Sequence, residues 1–207
     1  MGGKTRTDSE GQTPKAWDHD PPAKRKWTPF GVLVLTTGVL TLIFGLGETS
    51  DFWVDALRMW WLQAKGGWRD VRRLVIYLDN GPNNSGTRTQ FLKRMIAFSD
   101  ETGLELRLVY YPPYHSKYNP VERCFSSLEK KWGGMLLNRL KVILRWALRM
   151  KWKGMHPVVK RLHGKYPAGV RLTKKEMKPY EERLERSKTL PKYDIVIKPK
   201  RSEKQVN

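Results

Sequence analysis

The chain has 207 residues, 39% of them hydrophobic, with 40 Lys and Arg against 20 Asp and Glu, a formal net charge of +20. That length and apolar content are enough for one sizeable core, and the charge points to a polyanionic partner. The single cysteine, Cys124, excludes an internal disulfide framework and fits a reducing cytoplasm, and no zinc-type Cys/His cluster is present.

Residues 1–29 are polar and rich in Pro, Gly and charge, including Pro21-Pro22 and Lys24-Arg25-Lys26, and read as loop or disorder because too little apolar surface offsets ordering. Asp18-His19-Asp20 has the residue types of a metal triplet, but consecutive side chains do not easily converge on one ion, so a solvated loop is the better reading. Phe30 to Gly47 is 18 residues without a charge, following a basic cluster. One reading is a membrane-anchoring helix. The other, which the residues favour, is a hairpin of two buried strands: Thr36-Thr37-Gly38 divides the run, and both halves are rich in β-branched residues. Thr49 or Ser50 then caps a helix to about Lys65, with Phe52, Trp53, Ala56, Leu57, Trp60 and Trp61 as its apolar stripe.

Leu74 to Leu78 is an apolar run of five residues that ends in Asp79, the pattern of a strand buried on both faces. In open α/β sheets the carboxyl ends of strands collect ligands and catalytic groups. A helix from about Thr87 to Glu101 follows, with Gly103 as its stop signal, and then a strand from Leu104 to Tyr110. After Pro112-Pro113, Asn119 caps a helix that has Pro120 at its first position. Val121, Cys124, Phe125, Leu128 and Trp132 form its apolar face, and Cys124 reads as a small buried hydrophobe. Glu122 lies at the edge of that face. Taken singly, Asp79 in Asp-Asn-Gly reads first as a turn residue, and Glu122 equally well as the Glu of a capping box. Asn80, Asn83 and Asn84 bond either backbone or DNA, with turn use favoured.

Beyond Gly133-Gly134, Leu136 to Trp152 reads as an amphipathic helix, with Leu137, Leu140, Leu144, Ala147 and Leu148 toward the core and Arg139, Lys141, Arg145, Arg149 and Lys151 outward. So many cations with so few acids suit contact with DNA phosphates, since each one that neutralises a phosphate releases counterions. An anionic membrane surface is the alternative partner. The charge is C-terminal: residues 1–128 carry 17 Lys and Arg against 13 acids, residues 129–207 carry 23 against 7. Thr173 to Glu176 is a capping box for a helix through about Arg186, interrupted by Pro179. Tyr193 to Ile197 is a small strand, and Lys198 to Asn207 a loose basic tail.

In sequence order these pieces are a strand ending in Asp79, a helix, a strand, a Pro-Pro turn with His115-Ser116, and Asn119-Pro120-Val121-Glu122 opening a helix. That series resembles the last two acidic residues of the DDE transposases, most closely the ISAzo-type insertion-sequence branch, with 42 residues between the two acids. The resemblance runs from Gly2 to about Pro199 and is strongest from Phe30 to Trp132. It implies an α/β fold, an RNase H-like mixed sheet flanked by helices over 30–132, with a basic, mostly helical extension over 133–207. It also implies hydrolysis of phosphodiester bonds at element ends and transfer of the 3′-hydroxyl to target DNA, with two Mg²⁺ (or Mn²⁺) ions. Asp79 and Glu122 are then catalytic and metal-binding, and Asn80, His115, Lys117 and Asn119 are substrate-contacting, with a solvent-facing turn residue the competing reading of His115. The implied partners are terminal-repeat and target DNA and further copies in a transposition complex, in the bacterial cytoplasm at the nucleoid, with no membrane.

One departure from the family stands out. The family's first catalytic Asp sits on a first, central strand, and the resemblance begins just after it, at Gly2-Gly3-Lys4; Asp8, Asp18 and Asp20 lie in loop sequence, and Asp51 and Asp55 on a helix. The expectation is therefore an N-terminally truncated chain that lacks a strand between the hairpin and the Asp79 strand, leaving two unpaired edges, marginal stability and impaired catalysis. A non-catalytic DNA-binding remnant and a small basic protein anchored in a membrane through 30–47 are the alternatives.

Overall fold

Short apolar segments bounded by Gly, Asn and Pro make strands, and longer runs with three- and four-residue apolar spacing make helices. The computed structural model describes residues 27–112, 115, 118–132 and 140–200. They form two compact units, one of residues 27–46, 120–132 and 140–163 and the other of residues 47–112, 115, 118–119 and 164–200.

In the first unit, β1 (Trp27–Leu33) and β2 (Leu40–Leu46) pair antiparallel, from Trp27 opposite Leu46 to Leu33 opposite Leu40. Gly38 closes the turn with φ +73°, a conformation glycine adopts without steric cost, and its N–H reaches the Val34 carbonyl at 2.7 Å. β5 (Val158–Arg161) adds parallel to the other side of β2. Period-two alternation puts Leu40, Leu42 and Phe44 on one face of β2, where they pack with Cys124 and Leu128 of α3 (Pro120–Trp132), Ile143 and Ala147 of α4 (Leu140–Arg149), and Met150. Gly31 lets α3 approach β1 closely, because a Cβ there would meet the Phe125 ring at 2.8 Å and Val121 at 3.1 Å.

In the second unit the sheet order is β3-β4-β7-β6. β3 (Arg73–Leu78) and β4 (Glu105–Tyr110) run parallel through the crossover helix α2 (Thr89–Thr102), which ends at Gly103 with φ +71°. β7 (Asp194–Ile197) pairs antiparallel with both β4 and β6 (Leu184–Arg186). α1 (Ser50–Ala64) packs against α2, and Arg94 bridges them by pairing with Asp51 and Asp55. α5 (Lys174–Glu181) starts in the expected capping box at Thr173 and Glu176. Two mixed sheets flanked by helices make the architecture mixed α/β and RNase H-like in class.

The favoured hairpin reading of the apolar run 30–47 holds as β1–β2, and among the described residues no helix is long and apolar enough to cross a membrane. Several other expectations are corrected. β1 starts at Trp27, inside the stretch read as loop, because Trp27 and Pro29 face Leu46 and Phe44 of β2. The strands form two mixed sheets, and no described strand pairs with both β1 and β3. β3 is consequently an edge strand rather than one buried on both faces, with Val75 and Tyr77 each 46% exposed. α4 ends at Arg149, before Lys151 and Trp152, where Trp152 bridges Met155 across a turn with positive φ at Lys153 and Gly154. Its buried stripe is Ile143 and Ala147, flanked by Leu140 and Leu144, while Leu148 is 54% exposed. α5 stops at Glu181, and Leu184 to Arg186 pair with β7 instead of extending the helix. Leu137 and the Asp18-His19-Asp20 triplet lie outside the described residues.

Candidate functional site

The chain leaves the second sheet at Leu78, whose carbonyl accepts the Tyr111 N–H at 2.9 Å, so Asp79 stands at the carboxyl end of β3. Asn80 turns the chain with φ +61°, a left-handed conformation that Asn tolerates better than most residues. A tight turn follows, the Asn84 N–H reaching the Gly81 carbonyl at 3.2 Å. Two anchors hold this loop to its unit. Ser50 Oγ donates to the Asn83 carbonyl at 2.7 Å, and Arg186 donates to the Gly86 carbonyl at 2.9 Å. Gly86 has no room for a side chain, since a Cβ would lie 2.1 Å from the Lys192 carbonyl oxygen.

The Asp79 carboxylate is exposed but held at one oxygen. Oδ1 accepts from Asn84 Nδ2 at 2.8 Å and from the Gly81 N–H at 3.4 Å. Among the described residues nothing donates to Oδ2. Asn84 is 1% exposed, and among the described residues its Oδ1 has no hydrogen-bond partner. Both free oxygens, Asp79 Oδ2 and Asn84 Oδ1, lie 3.4 Å from where a Cβ of Gly81 would stand, so they border one small space. Hard, anionic and carbonyl-type oxygens are what Mg²⁺ and Mn²⁺ prefer, so the donor set fits such an ion. No group of three or more His, Cys, Asp or Glu that could hold a metal is assembled among the described residues. Tyr110, at the end of β4, has a buried hydroxyl without a partner among the described residues; burial raises its pKa, Arg186 opposes the rise and the Asp79 charge adds to it. It is thus a neutral donor and not a base.

Glu122 sits half-buried in the first turn of α3, in the first unit, whereas Asp79 belongs to the second. Gly31 sets how closely that helix lies on β1, and hence where Glu122 is carried within its unit. His115 is exposed, with its N–H on the Pro112 carbonyl at 3.1 Å and its ring stacked on Tyr118 at 5.7 Å. Asn119 is 6% exposed, which sets it apart from the exposed His115. Lys117 and Arg139 lie outside the described residues.

Lys141, Arg145 and Arg149 recur every four residues and are all exposed on α4, with Lys151 exposed just beyond it. The basic surface of the first unit is larger than α4 alone, because Lys153, Lys160 and Arg161 are exposed as well. Two cations lie over indole faces, Arg149 on Trp146 at 5.8 Å and Arg161 on Trp27 at 5.1 Å. The missed signal was legible, since Leu140 to His163 contains no acidic residue at all. The other missed feature is the Asn84 grip on Asp79, a long-lever contact five residues away that no periodicity announces.

A strand-end carboxylate with a free oxygen on a mixed α/β scaffold, together with an acid-free basic stretch, is the equipment expected of a protein that handles nucleic acid. The chain matches the family model described as Rhodopirellula transposase DDE domain over residues 1–199. It belongs to that family of transposases. The family acts on DNA and generally uses divalent metal ions. No curated protein and no solved structure matches the chain.

Proposed function

We propose that this protein acts on the DNA ends of an insertion sequence, with Asp79 and Glu122 as the carboxylates that bind Mg²⁺ or Mn²⁺. The observation that supports this most directly is the Asp79 carboxylate itself, one oxygen fastened by Asn84 and Gly81 and the other left open beside a second unpaired oxygen. When bound, the metal supplies activation of a water or 3′-hydroxyl and stabilisation of the leaving oxygen. The chain's own residues do the rest. Asn80, His115, Lys117 and Asn119 contact the DNA near the scissile phosphate, and Arg139, Lys141, Arg145, Arg149 and Lys151 hold flanking phosphates. The protein works as a homo-oligomer on terminal-repeat and target DNA, in the bacterial cytoplasm at the nucleoid.

The family reaction needs carboxylate ligands for two ions, and Asp79 and Glu122 are the two that this reading assigns to it. The test is a nicking assay on terminal-repeat DNA with and without Mg²⁺. Metal-dependent nicking that vanishes in Asp79→Ala is expected, and nicking that persists unchanged in Asp79→Ala would remove Asp79 from the reaction. A second reading, DNA binding without cutting, is favoured by the density of cations in the first unit, where the described stretches carry ten Lys and Arg against two Glu. Under it, DNA binding is salt-dependent and no metal elicits nicking from either protein.

A further inference from the structure

We propose that Asn84 is a positioning residue for the Asp79 carboxylate and that its own side-chain oxygen faces the hydrated cation bound there. The inference rests on the reading of Asp79 as a metal ligand and goes beyond it to a residue outside the acidic pair. A carboxylate can only accept, so the Asn84 atom 2.8 Å from Asp79 Oδ1 must be the amide nitrogen. That bond fixes both groups at once. It occupies Oδ1, turns Oδ2 outward, and commits the Asn84 carbonyl to the remaining direction, where it is buried with no donor among the described residues. Leaving a buried acceptor unpaired is costly, on the order of 1–3 kcal/mol, and such a cost is kept where something else meets the oxygen. The open Asp79 Oδ2 borders the same space at Gly81. A divalent ion on Oδ2 brings its own waters, which are strong donors, and the Asn84 oxygen is placed to accept from one of them. Groups that orient a metal ligand in this way change affinity about 10–100-fold when removed.

The arrangement is not explained by loop stability alone, because the loop has separate anchors. Ser50 Oγ on the Asn83 carbonyl and Arg186 on the Gly86 carbonyl hold the backbone without touching Asp79. A substitution can therefore separate the two roles. Asn84→Leu is close in size and removes both the unpaired acceptor and the bond to Asp79 Oδ1, which water can replace at the exposed carboxylate, so the melting temperature should stay near the parent's. Its Mn²⁺ affinity should nevertheless fall about tenfold, as should that of Asn84→Ala. Ser50→Ala, which loosens the same loop, should lower the melting temperature and leave Mn²⁺ affinity within about twofold.

The experiment is a calorimetric Mn²⁺ titration of the full chain and these variants beside Asp79→Ala, with melting temperatures measured in parallel. Binding lost in Asp79→Ala and weakened in Asn84→Leu at unchanged stability is the expected result. Binding lost in Asp79→Ala but intact in Asn84→Leu overturns the role of Asn84 and spares that of Asp79. Equal titrations of the parent and Asp79→Ala, or no Mn²⁺ uptake by the parent, overturn the reading of Asp79 and this inference with it.

Discussion

The two units handle positive charge in opposite ways. In the second, arginines are spent on structure: Arg58 pairs with Glu101, Arg73 with Glu105, Arg107 with Asp194, Arg183 with Asp100, and Arg186 with Glu181, several of them joining neighbouring strands or helices. In the first, Lys141, Arg145, Arg149, Lys151, Lys153, Lys160 and Arg161 are exposed, and among the described residues none has a carboxylate within ion-pair distance. Unpaired like charges repel one another and contribute nothing to holding a small unit together. Such a surface makes sense when its counter-charge arrives from outside. The first unit therefore relies on its sheet and its apolar cluster rather than on ion pairs among the described residues, whereas the second adds directional ionic contacts.

That contrast fails first, if it fails, at Phe44. This residue is fully buried in the cluster between β2 and helices α3 and α4, with the Trp132 ring 6.3 Å away. Phe44→Ala should cost about 3–5 kcal/mol in urea unfolding, since both the transfer energy and a cavity are involved. A loss below about 1 kcal/mol would mean that the apolar core is not what holds this unit. The charge side is tested by replacing Lys141, Arg145 and Arg149 together with Ala. DNA affinity at low salt should drop at least tenfold, and the slope of log affinity against log salt should shrink by about 0.9 for each phosphate contact removed. Arg107→Ala, which removes an ion-paired cation of the second unit, should leave that slope as it was. Equal effects from the two changes would erase the distinction.

A smaller effect tests the paired side. Hydrogen bonding to Arg183, at 2.6 and 2.7 Å, holds the Asp100 carboxyl below its usual range, the Lys200 N–H helps, and partial burial opposes. A depressed folded-state pKa means that the contribution is complete above the unfolded carboxylate value of about 3.9 and is lost as pH falls through the lower folded value. Asp100→Asn should therefore cost about 1–2 kcal/mol at pH 7, and the cost should shrink toward zero well below pH 3, as read from urea midpoints at the two pH values. A pH-independent cost would assign the loss to packing.

Much of this was legible in the chain because the signals are local. Gly103 stops α2, Thr173 and Glu176 make the capping box of α5, and Cys124 lies on the buried face of α3, each set by neighbours within a turn or two. β3 was misread because an apolar run is silent about how many strands will flank it; Val75 and Tyr77 look like core until the sheet order is known. α4 was drawn too long because Lys151 and Trp152 continue the basic and apolar pattern, while the reversal at Lys153-Gly154 and the Trp152–Met155 bridge end it. β5 escaped because four residues with little burial carry almost no periodicity, and only pairing with β2 makes them a strand. Among the candidate residues, Asp79 and Glu122 stand out through residue type and setting, whereas the hold of Asn84 on Asp79 shows only in a distance measured in space.

The smallest effect concerns two adjacent hydroxyls at the start of α1. Thr49 and Ser50 look interchangeable as caps in the sequence, yet they point to different partners. Thr49 Oγ1 accepts the Phe52 N–H at 3.3 Å and caps the helix, while Ser50 Oγ donates to the Asn83 carbonyl at 2.7 Å and fastens the loop after Asp79. Thr49→Ala should cost about 1 kcal/mol and raise amide exchange in the first turn of α1, while Thr49→Ser should restore both. Exchange in β2, only a few residues earlier in the chain, should stay unchanged, because that strand is held by its own sheet and apolar cluster. Ser50→Ala should instead leave the first turn of α1 protected and speed exchange of the Asn84 amide, which donates to Gly81 within the loop. If the two alanine variants gave the same exchange pattern, the division of labour between cap and loop anchor would be wrong, and with it the premise that the second unit distributes its stability over separate polar contacts.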